Sequence, residues 1–126
     1  MANTSLIIAM IQDRPGSGIR EDFMEILQKD KPNIIAFPEH YFLRPGDDNV
    51  IVSAFRHNEI AGQLLEWSLK FNCVIIGGSL AAESNGKLYN RSYIINKGSI
   101  IGYYDKIHLL KRRPGINKER LGIQSV

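Results

Sequence analysis

The 126-residue chain contains a single cysteine, Cys73. That excludes an internal disulfide framework and fits a reducing compartment. Charge of one sign is also scarce. Sixteen Lys and Arg against thirteen Asp and Glu leave a formal net charge of +3, too small to imply a nucleic-acid or membrane-surface partner. Long hydrophobic runs are missing: LIIAMI near the start is too short to span a bilayer, and no basic region with a cleavable small-residue site flanks it. The expectation is a cytoplasmic chain with neither membrane nor nucleic acid as partner. A Gly-rich phosphate loop is missing too, because the GG of VIIGGS lacks the lysine and the spacing. Gly77 and Gly78 read instead as points of close backbone packing or a strand bulge. Repeats, low-complexity stretches and linkers are absent, so the chain is one domain or part of one.

What is present is a clear alternation of elements. SLIIAMIQ (5–12) is a short apolar run rich in Ile, the pattern of a strand covered on both faces. IREDFMEILQK (19–29) predicts a helix with Ile19, Phe23, Ile26 and Leu27 on one face, acids early and Lys late. KPNIIAFP predicts a second strand, completing a βαβ unit whose strands pair in parallel. LRPGDDNVIVSAFRH reads either as an irregular turn or as a short helix. The segment 58–72 predicts a helix capped by Asn58, with Ile60, Leu64, Leu65, Trp67 and Leu69 as its apolar stripe. CVIIGGSLA (73–81) predicts a third buried strand. Asn85-Gly86 then gives a strong hairpin signal, since both turn positions need positive φ, and NKGS around Gly98 gives a second. The fold class is α/β (α+β by some schemes): a mixed sheet, βαβαβ followed by antiparallel hairpin strands.

Two strand ends draw attention. IIAFPEHYF (34–42) ends an apolar strand on Pro38, which cannot donate to a ladder, and then on Glu39, a carboxylate where a turn residue is usual. Open α/β sheets collect functional groups just beyond strand ends, although most loop carboxylates are merely solvated. YYDKIHLL (103–110) puts Lys106 in an equally apolar context. Such a lysine either snorkels to water or points into a cleft beside a carboxylate, where the pair can hold a base and supply charge to a developing oxyanion. Spacing leaves both open.

IIAMIQ, IIAFPEHYF, CVIIGGSL and YNRSYIINKGSIIGYYDKIHLL, in that order and at similar spacing, resemble the first half of the nitrilase (carbon–nitrogen hydrolase) superfamily over residues 5 to 110. The resemblance implies an α-β-β-α sandwich, of which residues 1–126 would be the N-terminal half of one truncated domain. It implies hydrolysis of a non-peptide C–N bond of the amide, nitrile or carbamoyl class by a Glu-Lys-Cys triad, without a cofactor. Glu39 matches the general base and Lys106 the lysine that stabilises the tetrahedral intermediate. His40, Tyr41, Tyr104 and His108, flanking these two, are expected to line the substrate cleft. The family's nucleophile follows a further strand, in a motif like G-x-x-I-C-Y-D-x-R-F-P-E that these residues do not contain. Cys73 opens a buried strand with no such motif around it and reads as a core residue. The chain alone is therefore expected to be inactive, and homodimers or larger assemblies are implied.

Rival readings are weaker. The tail KRRPGINKER suggests nucleic-acid binding, but it lacks interleaved aromatics and is diluted by Asp105 and Glu119. A metal site from Glu39, His40, His57 and His108 lacks any ligand spacing, so no metal is expected. A non-catalytic half-domain retained for assembly is the remaining alternative.

Overall fold

The computed structural model describes residues 5–16, 18–44 and 54–106. Its elements run β1 (Ile8–Met10), α1 (Glu21–Asp30), β2 (Ile34–Ala36), α2 (His57–Lys70), β3 (Val74–Ile76), β4 (Leu80–Ser84), β5 (Lys87–Asn96) and β6 (Ser99–Asp105). β1, β2 and β3 pair in parallel, and β5 joins β3 antiparallel. Both βαβ steps move the same way across the sheet, so right-handed crossovers put α1 and α2 on one face. Arg91 of β5 pairs with Leu80 of β4 and also with Asp105 of β6. β3 and β4 therefore share one edge of β5, and β6 takes the other.

Register explains the core. Ala9, Ile35, Ile75 and Ile95 stand opposite one another in successive strands. The three isoleucines in that row are 0% exposed, beneath Leu27 of α1 and Ile60, Leu64 and Trp67 of α2. Burying each contributes about 1.5–3 kcal/mol. The alternate row, Met10, Ala36, Ile76 and Ile94, faces away from the helices; Met10 is 70% exposed and Ile76 and Ile94 are also open. Among the described residues one sheet face is thus covered by helices and the other is not.

Both hairpin turns form as their sequences require, with positive φ at Asn85 and Gly86 and again at Lys97 and Gly98. The second turn is tied to α2: Gly98 N–H donates to Ser68 Oγ at 2.8 Å, while that hydroxyl donates to the Leu65 carbonyl at 2.7 Å.

Several boundaries differ from the sequence reading. CVIIGGSLA is two strands rather than one, because Gly77-Gly78-Ser79 breaks the ladder and sends the chain into β4. A Cβ on Gly77 would press on Leu64, and one on Gly78 (φ +66) would collide with the Pro38 carbonyl oxygen. Close backbone approach is what those glycines provide. Asn58 lies inside α2, and the N-cap position belongs to Arg56, which makes no side-chain cap. Ile26 and Leu69, expected on the apolar faces, are exposed. The ambiguous segment falls largely outside the described residues, as do His108 and the basic tail. Among the described residues no helix is long and apolar enough to cross a membrane.

Candidate active site

The end of β2 is shaped to present a side chain. Phe37 N–H still donates to the Ile76 carbonyl at 3.0 Å, after which Pro38 stops the pairing. His40 takes a left-handed conformation (φ 55), and its N–H donates to Ser79 Oγ at 2.9 Å. Tyr41 anchors the far side: its hydroxyl donates to the Gly18 carbonyl at 2.6 Å, and its ring lies 5.5 Å from that of Phe37. The turn is fixed at both ends, and Glu39 projects between them. Tyr41 is therefore a correction to the sequence reading. At 0% exposure it supports the loop from within the core and does not line the cleft.

Lys106 arrives from the other direction. Its N–H donates to the Asn90 carbonyl at 3.0 Å, extending the β5–β6 ladder by one step. Arg91 and Asp105, one step back on the helix face, are joined by two bonds of 2.8 and 3.1 Å. Strand alternation then turns Asn90 and Lys106 to the open face. There Lys106 Nζ donates to Glu39 Oε1 at 3.0 Å, and Asn90 Nδ2 donates to the same oxygen at 3.1 Å. His40 Nε2 stands 3.7 Å from it. The Lys106 ammonium holds the Glu39 carboxyl below its ordinary value against an opposing burial effect, with Asn90 and His40 adding to the lowering.

The cleft around this pair encloses about 360 Å3 and is lined also by Phe37, Ile76, Ser79, Ser92 and Tyr104. Glu39, Lys106 and Tyr104 thus meet in one place, with His40 beside Glu39. His57 does not join them. Its Nε2 lies 2.7 Å from the Tyr93 hydroxyl and its Nδ1 2.9 Å from the Ala81 carbonyl, away from the cleft. Among the described residues no group of three His, Cys, Asp or Glu is placed to hold a metal ion. Cys73 is buried at the N-terminal end of β3, whereas Glu39 follows the C-terminal end of its parallel neighbour β2. Burial pushes its thiol up, away from the reactive thiolate.

Sequence reasoning missed Asn90 and Ser79. The signal for Asn90 was present in the N-R-S-Y run, since a strand period of two puts residue 90 on the face opposite Arg91. Ser79 had no comparable signal, because its role depends on the break after β3.

The chain belongs to the carbon–nitrogen hydrolase family, whose sequence profile matches residues 2–124. Solved structures with the same fold include a carbon–nitrogen hydrolase from Helicobacter pylori G27, with a TM-score of 0.71 and 17% identity over 96% of this chain and 44% of that one. An amidase from Nesterenkonia sp. matches with a TM-score of 0.66 and 16% identity, covering 89% of this chain and 46% of that one. Nit3 of Saccharomyces cerevisiae, from branch 10 of the nitrilase superfamily, matches with a TM-score of 0.61 and 19% identity over 82% and 44%. The chain spans about half the length of these structures or less. A comparison with curated protein sequences gives no match.

Proposed function

We propose that this chain carries the base and the cation of a carbon–nitrogen hydrolase site acting on an amide, nitrile or carbamoyl substrate. Glu39 is the general base and Lys106 the cation that stabilises the tetrahedral intermediate. The observation that supports this most is the 3.0 Å contact between Lys106 Nζ and Glu39 Oε1 within one cleft. An ordinary thiol is only a few per cent thiolate at neutral pH, so a nucleophilic cysteine entering this cleft needs a carboxylate to take its proton. Attack on the substrate carbon moves negative charge onto its oxygen or nitrogen, and a fixed ammonium nearby stabilises that charge more in the transition state than in the ground state.

Cys73 is the chain's single cysteine and is remote from the cleft. The 126 residues alone are therefore expected to give no turnover on a panel of short amides and nitriles. Hydrolysis above background that disappears in Cys73→Ala would show that Cys73 is a nucleophile and overturn this assignment. A second reading, a non-catalytic half-domain retained for assembly, draws support from the sheet face on which Met10, Ile76 and Ile94 are exposed. The message read in frame beyond codon 126 separates the two: a strand ending in cysteine favours the enzyme.

A further inference from the structure

The nitrogens around Glu39 are unevenly placed. Lys106 Nζ, Asn90 Nδ2 and His40 Nε2 all approach Oε1, at 3.0, 3.1 and 3.7 Å. Among the described residues Oε2 receives no protein hydrogen bond, on a side chain that is 53% exposed. Donors on a charged oxygen stabilise it in that form and make it the poorer proton acceptor. The oxygen without protein donors need give up only water to take an incoming proton.

Asn90 is built for this task. It is 5% exposed, so its amide cannot turn to water. Its Oδ1 is buried and has no partner among the described residues. Turning the amide over would set that carbonyl oxygen against the Glu39 carboxylate, so the carboxylate fixes which way the amide points. The residue also touches the lysine side of the site, through its carbonyl and the Lys106 N–H. One residue thereby bonds to the base through its side chain and to the cation's backbone through its main chain.

We infer that Asn90 is the positioning residue of the site: it pins Oε1 of Glu39 and reserves Oε2 as the oxygen that accepts the proton. The inference rests on the reading of Glu39 as the base. Among the described residues the charged or titratable groups facing that carboxylate are Lys106, one residue past β6, and His40 from its own loop, with Tyr104 of β6 lining the same cleft.

The test is a carbon-detected NMR titration of the Glu39 carboxyl in the unmodified chain, read together with the side-chain amide protons of Asn90. It is repeated in His40→Ala so that the imidazole proton is not mistaken for the response. The expected result is that the Asn90 amide protons move at the Glu39 midpoint. Asn90→Ala should raise that midpoint, and Asn90→Asp should raise it further by adding a like charge, with the β5–β6 cross-strand contacts unchanged. Amide protons indifferent to Glu39, or a midpoint the same in folded Asn90→Ala, would overturn the proposal. If Asn90→Ala does not fold, the amide protons of the unmodified chain decide. Lys106→Gln separates the levels: a midpoint that answers to Lys106→Gln but not to Asn90 defeats only this inference, and one that answers to neither defeats the Glu39–Lys106 reading as well.

Discussion

Arg91→Ala is expected to destabilise the chain by about 3–5 kcal/mol, because it strands a buried charge. The Asp105 side chain is 2% exposed, and Arg91 meets it through both Nε and a terminal nitrogen. The same guanidinium lies 4.2 Å from the centre of the Tyr103 ring, so its removal also leaves packing unfilled. Native domains are stable by about 5–15 kcal/mol, which makes this loss a large share of the total. Denaturant unfolding at fixed protein concentration measures it. Replacing both partners, as Arg91→Met with Asp105→Leu, should recover much of the loss, since the cost lies in the uncompensated carboxylate more than in the missing pair. A loss near zero for Arg91→Ala alone would mean that Asp105 is solvated or finds another cation. The pair sits behind the site and fixes the β5–β6 register, so the double variant should fold yet place Lys106 less firmly.

The second large effect is association. Met10, Ile76 and Ile94 form an open apolar row on the sheet face away from the helices, and β6 carries exposed Ile100, Ile101, Tyr103 and Tyr104 along an edge that pairs with no other described strand. A contiguous apolar face and an unpaired edge of this kind associate with another chain. Sedimentation at micromolar concentration should find a dimer or larger species, and Ile94→Lys, which puts a charge in the middle of that row, should shift it toward monomer. A monomer that unfolds cooperatively and is unaffected by Ile94→Lys would mean that the 126 residues close their own core.

Much of this was legible because period and turn chemistry are local properties. The row Ile35, Ile75 and Ile95 follows from short apolar runs, and the hairpins follow from Asn85-Gly86 and from Gly98. Glu39 and Lys106 were legible as polar residues at the ends of apolar strands, and the roles proposed for them come from the family resemblance. Tyr41 was misplaced because sequence proximity to Glu39 says nothing of direction: the turn at His40 sends the next side chain inward, to the Gly18 carbonyl. The break at Gly77-Gly78-Ser79 was hidden because it answers to a distant backbone atom, the Pro38 carbonyl oxygen, that no local pattern encodes. Asn90 is different: the strand period places it on the face opposite Arg91, but nothing local names what it meets there. Its partner, Glu39, is 51 positions away.

Glu39 and Lys106 meet, ammonium to carboxylate, in one cleft. Because the folded-state pKa of Glu39 is lowered, the stability contributed by the pair is present above the ordinary carboxylate value and is lost as the pH falls through the folded value. With both side chains partly open to water, that contribution is small, and the titration itself is the better readout. The measurement is the Glu39 carboxyl midpoint in the native chain and in Lys106→Gln. The expected result is a native midpoint below that of an ordinary glutamate, raised when Lys106 is replaced. An ordinary native midpoint that ignores Lys106→Gln would contradict it.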